Sequence, residues 1–128
     1  MGRVARVFVS YRHADSAMAE RLKRELEPRW TVLTHAASPE RAVTWQEECS
    51  RLICEADAMI CVVGDTTAAS PNVDWEIETA LARATPVLPL RADGSVEPTV
   101  PAPLAGRKLL EPQEVAARLD EVALERAH

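Results

Sequence analysis

The chain has 128 residues, 47% of them hydrophobic and 27% charged, with a formal net charge of −5. That length suits one compact domain over residues 1–128, and the balance is globular, not disordered. The acidic charge argues against a nucleic-acid partner, and no apolar run approaches the roughly 20 residues that span a bilayer. Met1 to Arg6 leads straight into a strand pattern and carries no cleavage-site signature, so no signal peptide is expected. Three cysteines, Cys49, Cys54 and Cys61, show no C-x-x-C spacing, and the three histidines show no H-x-x-x-H spacing. They read as reduced thiols of a cytoplasmic protein without a zinc site, with Cys61 packed as a small buried hydrophobe.

In chain order, Val4 to Val9 is rich in β-branched residues and ends at Ser10-Tyr11-Arg12-His13, which predicts a first strand. A helix opens near Asp15, a plausible N-cap, with Met18, Leu22 and Leu26 on one face, and stops at Pro28. Trp30 to Thr34 reads as a short second strand and His35 to Val43 as a loop. Thr44-Trp45-Gln46-Glu47 has the form of a capping box, with Thr44 as N-cap of a helix that runs to about Glu55. Its inward residues are Cys49, Leu52, Ile53 and Ala56. Ala58 to Gly64 is a continuous apolar run, as in a central parallel strand buried on both faces.

Asp65 to Pro71 follows as a loop, then a third helix from about Val73 to Ala84, with Ile77, Ala80, Leu81 and Ala84 inward. Pro86 to Leu90 is a fourth strand whose prolines point to an edge. Ala92 to Arg107 is a long loop, Lys108 to Leu110 a short fifth strand, and Pro112 to Ala127 a closing helix marked by Val115, Leu119, Val122 and Arg126. This alternation predicts an α/β fold of flavodoxin-like type: three layers, αβα, around a parallel sheet of about five strands. Its pocket belongs at the carboxyl ends of the strands. Three segments converge there: Ser10 to His13, His35 to Val43, and Asp65 to Glu76.

Several occupants of such folds are excluded. The turn after strand 1 has neither G-x-G-x-x-G nor a P-loop, no acidic cluster stands there for a phosphoacceptor receiver, and no G-x-S-x-G elbow exists. A nucleotide must therefore be held by side chains and helix N-termini.

Two stretches carry a resemblance. Val7-Phe8-Val9-Ser10-Tyr11-Arg12-His13-Ala14-Asp15 looks like the opening strand and loop of TIR domains. Ala58 to Gly64, the Ser70 loop and Val73-Asp74-Trp75-Glu76-Ile77-Glu78-Thr79-Ala80-Leu81 resemble the third strand and following helix of that family. The likeness is closest to TIR-like proteins of prokaryotic antiviral defence, such as the Thoeris signal-generating subunit. It extends over about residues 4 to 124.

The resemblance implies cleavage of the nicotinamide–ribose bond of NAD+, with NAD+ as substrate and no bound cofactor. Some members of the family cyclise the ADP-ribose product into a signal. The family pattern E-I-x-x-A-L is met by Glu76 to Leu81, which makes Glu76 the implied catalytic residue; Glu78 then belongs to the solvated face. Ser10, Tyr11, Arg12, His35, Trp45, Asn72 and Trp75 are the implied substrate-binding residues. Arg12 suits the pyrophosphate, and Tyr11, Trp45 and Trp75 offer aromatic faces to a base. The chemistry is sensible: nicotinamide in NAD+ is already a cationic leaving group, and one carboxylate can stabilise the oxocarbenium-like transition state. Self-association through contacts between TIR domains and an effector or sensor protein are the implied partners, with neither nucleic acid nor membrane.

The chain departs from the family pattern in three places. His35 stands where an Asp or Glu is common, residues 36–43 hold no Gly, and Asn72 takes the place of an aromatic. From spacing alone, Glu76 also reads as an acid favoured at a helix N-terminus. Two other functions stay open at this level. One is a scaffold acting by homotypic assembly alone. The other is N-glycosidic chemistry on nucleosides, as in deoxyribosyltransferases.

Overall fold

The computed structural model describes residues 5–34 and 42–127, and side chains over 5–34 and 46–122. Four strands, β1 (Arg6–Ser10), β2 (Thr31–Leu33), β3 (Ala58–Val63) and β4 (Val87–Arg91), alternate with four helices. The helices are α1 (Ser16–Leu26), α2 (Ala42–Glu55), α3 (Pro71–Ala82) and α4 (Val115–Ala127). All strand pairs are parallel, in the order β2-β1-β3-β4. This is the expected α/β layering, with the sheet between two helical layers.

Period-2 alternation sorts the side chains between the two faces. Val7, Val9, Ala58, Ile60 and Val62 pack with Met18, Leu22 and Leu26 of α1 and Val115, Leu119 and Val122 of α4. Phe8, Met59, Cys61 and Val63 pack with Cys49 and Ile53 of α2 and Val73, Ile77 and Ala80 of α3. β3 is buried at every position, which is why its sequence is apolar without alternation.

The chain runs from β1 outward to β2, then returns across β1 to β3. Strand order therefore reverses between β1 and β3, and the crevice of such a sheet opens outside the carboxyl ends at that point. Ser10 and Cys61 are register partners at this place.

Several boundaries differ from the sequence reading, four of them with a clear physical cause. The fifth strand, Lys108 to Leu110, shrinks to one bridge between Leu90 and Leu110. Leu110 N–H donates to Pro89 O, and Arg91 N–H to Leu110 O. Pairing one step earlier would need the N–H that Pro89 lacks, and Val87 O is occupied by the Arg107 side chain. The prolines thus place β4 at the edge of the four-stranded sheet and also halt the next strand. α2 begins at Ala42, so Thr44 lies inside the helix and is not its N-cap. α3 begins at Pro71, a proline at the first helical position, where its missing N–H costs nothing. Ala84 is exposed beyond the end of α3 with φ of 58°, not inward. The Thr85 N–H then bonds Ala80 O in a left-handed C-terminal cap.

Candidate active site

Ser70 caps α3: its hydroxyl accepts from Val73 N–H at 3.3 Å. Thr67, fully buried, fixes the preceding loop by accepting from Gly64 N–H at 2.8 Å and donating to Val62 O at 3.3 Å. This ties the start of α3 rigidly to the end of β3. Asp74 is the acid of the first turn, and Glu76 falls in the second. The helix dipole fades beyond the first turn, so it gives little reason for an acid at Glu76.

Glu76 points inward, 7% exposed, toward the carboxyl ends of β1 and β3. Ser10 Oγ donates to Oε1 at 2.9 Å, and Cys49 Sγ donates to Oε2 at 3.7 Å. Burial pushes the carboxyl up to about 7, against the lowering pull of those two hydrogen bonds. Beneath it, burial and then the charge of Glu76 push the Cys61 and Cys49 thiols up to about 12. Asp74 Oδ1 is buried without a hydrogen-bond partner among the described residues.

The other candidates scatter. Arg12 sits at the rim, with Nη1 donating to Thr66 O at 3.2 Å. Trp75 is half-buried against the α2/α3 core, and Asn72 is exposed on the first turn of α3. The Tyr11 ring packs on the opposite face of the sheet, against the α1/α4 core. Glu78 is exposed. His35 and the side chain of Trp45 lie outside the described residues.

Two features escaped the sequence reading. Cys49 was expected to fill core space, yet its sulfur meets the acid. Asp15 does stand at the N-cap position of α1 but makes no side-chain capping bond. Its carboxylate instead lies directly on Gly64, where a Cβ would come within 2.7 Å of Oδ2. Burial and then Asp65 raise the Asp15 carboxyl, while Arg12 lowers it.

An open groove of about 480 Å³ between α2 and the end of α3 is lined by Glu47, Ser50, Arg51, Cys54, Glu55 and Arg83. It does not include Glu76; within it Arg51 pairs with Glu55, and Arg83 bonds the Cys54 sulfur. The chemistry therefore points to the buried carboxylate and not to the groove. Among the described residues, no group of three or more His, Cys, Asp or Glu could hold a metal ion. None of the described helices is long and apolar enough to cross a membrane.

A family model described as TIR domain matches residues 7–123. The chain belongs to the TIR domain family. A solved structure titled as a prokaryotic SEFIR domain matches this TIR domain with a TM-score of 0.60 and 16% identity. The match covers 95% of this chain and 96% of that one, and at that identity it speaks for the fold. A comparison with curated proteins returns no match.

Proposed function

We propose that this TIR domain cleaves the nicotinamide–ribose bond of NAD+ with Glu76 as the catalytic carboxylate. The observation that carries the reading is a single acid, buried at the reversal point of the sheet and held on both oxygens by neutral donors. An acid so placed has a midpoint of about 7. It is ionised in mildly alkaline solution, in a setting where a negative charge acts strongly on a nearby cation.

In this reaction the C1′–N bond breaks and nicotinamide leaves with the electron pair as a neutral base. Little general-acid help is needed. The Glu76 carboxylate stabilises the positive charge that develops on the ribose and orients its hydroxyls. Water then adds at C1′ and releases a proton, giving ADP-ribose; capture of C1′ by a nucleophile of the same molecule, in place of water, would give a cyclic form. Arg12 at the rim suits the pyrophosphate, and Trp75 can offer its ring to a base. The product would serve as a signal to an effector in prokaryotic defence, and self-association would raise activity.

Incubation of the purified protein with NAD+, alone and as a chemically induced oligomer, tests the reading through nicotinamide release. Release that Glu76→Gln reduces at least about a hundredfold is expected, with wild-type activity rising as the pH passes upward through about 7. No nicotinamide in either state, or an undiminished Glu76→Gln, would sink it.

A further inference from the structure

Cys49 needs only its volume to pack between α2 and α3. A valine or an alanine could do the same among Ile53, Val73 and Ile77. The sulfur has a second relation that volume does not explain: it is fully buried and stands 3.7 Å from Glu76 Oε2. A thiol there is a donor only while protonated. Burial and the neighbouring carboxylate keep it so, with a midpoint of about 12.

The two donors come from different layers, Ser10 from the sheet and Cys49 from α2, and each takes one oxygen. Two such bonds fix rotation of the carboxylate about its last bond, which one would not. We propose that Cys49 is a positioning residue: its thiol holds Oε2 while the Ser10 hydroxyl holds Oε1, so that α2 and β1 together set the plane of the Glu76 carboxylate. The proposal rests on Glu76 being the catalytic group.

The consequence is a coupling between a thiol on α2 and the ionisation of an acid on α3. The other titratable groups of this neighbourhood are Cys61 on β3, Asp74 on α3 itself, and Glu48 beside Cys49 on α2; β1 contributes the Ser10 hydroxyl. Loss of a hydrogen bond to the ionised form raises the pH at which an acid ionises. Removing the thiol must therefore move the acid limb of the activity profile upward.

The test compares Cys49→Ala, Cys49→Val and Cys49→Ser. Alanine and valine are expected to move the acid-side midpoint of NAD+ cleavage upward by roughly half a pH unit. They should lower kcat about tenfold with little change in KM, and serine should restore both. A purely structural role predicts that valine does at least as well as serine and that the midpoint stays put; that result overturns the proposal. A second measurement needs no activity and no Cys49 variant to fold stably. In Cys61→Ala, which removes the other thiol that the charge of Glu76 reaches, the infrared S–H stretching band should shift when Glu76 is titrated between pH 5 and 9, and lose that shift when Glu76→Gln is added. An S–H band indifferent to both overturns the proposal even in an active enzyme. A wild type without NAD+ cleavage removes the catalytic reading, while the band still decides whether Cys49 holds the carboxylate.

Discussion

Glu76→Gln keeps the shape of the protonated acid but cannot ionise, so it separates the effect of the charge from that of the side chain. Glu76 is 7% exposed, and burial moves its midpoint from 4.5 to about 7. Each pH unit of such a displacement is worth about 1.4 kcal/mol, so ionising this carboxyl inside the fold costs on the order of 3 kcal/mol. Between pH 4.5 and 7 the unfolded chain gives up this proton while the folded chain keeps it. The unfolded state then binds fewer protons, and stability falls as pH rises across that window. Below 4.5 both states are protonated and above 7 both are ionised, so the contribution is flat outside it. Glutamine escapes the cost, although its amide N–H₂ then faces a sulfur, a weak acceptor, which takes back about 1 kcal/mol. Glu76→Gln should therefore be about 2 kcal/mol more stable than wild type at pH 8, with a midpoint of unfolding higher by roughly 5–10 °C. At pH 4.5 it should be no more stable than wild type. Urea and thermal unfolding of both proteins at the two pH values decide it. A stability gap equal at both pH values, or a Glu76→Gln that is less stable at pH 8, would refute the placement of a strained ionised acid at Glu76.

Gly64→Ala puts a methyl group on the Asp15 carboxylate and should cost about 1 kcal/mol in urea unfolding. The loss should shrink in an Asp15→Ala background, and a strictly additive double mutant would show that the contact does not matter. Ala84→Gly relieves a left-handed backbone position and should stabilise by up to about 1 kcal/mol, read as a higher unfolding temperature; an unchanged or lower value would refute it. Arg91 bonds both oxygens of Glu111 and Ser95 O, and its hydrogen bond is the first cause of the lowered Glu111 carboxyl. Arg91→Ala should lower the protection of the amides at positions 91 and 110, measured against the intrinsic exchange rate, and lowering the pH through the depressed Glu111 midpoint should lower it likewise in wild type. Protection indifferent to both would mean that the Leu90–Leu110 bridge does not depend on this pair.

The fold was legible because burial writes itself into local pattern. Ala58 to Val63 is apolar throughout because both faces of β3 are covered. Met18, Leu22 and Leu26 recur at helical spacing because α1 covers one face. Pro86 and Pro89 marked the edge, but their effect on the next strand depended on which side of β4 the missing N–H falls, and that is a matter of register. The site was legible only in part. Glu76 and Ser10 lie in the two stretches that resemble the family, and they meet at 2.9 Å. Cys49 was invisible because its bond to Glu76 spans 27 positions and a buried cysteine in a helix looks like packing. Asp15 looked like a cap, since a sequence shows the acid at the helix start but not the glycine from β3 beneath it. Tyr11 looked like a ligand for the opposite reason: it follows Ser10 immediately, and adjacent residues of an extended segment point to opposite faces.

The contrast among the acids of this chain bears on what Glu76 is for. Asp57 accepts the Arg6 N–H at 2.8 Å, and Glu111 is clamped by the Arg91 guanidinium, which holds its carboxyl below the ordinary range. Those are acids that hold the fold together, each matched to a donor from another element. Glu76 is treated differently: it is more deeply buried, its partners are a hydroxyl and a thiol, and its midpoint rises where that of Glu111 falls. A structural role would be served better by a neutral side chain, because an ionised acid in this place lowers stability. Ser10 and Cys49 relieve only part of that cost, and they direct the two oxygens. An acid kept at a loss to the fold, aimed from two sides, at the place where the sheet opens, is the arrangement that the proposed reaction requires of its carboxylate.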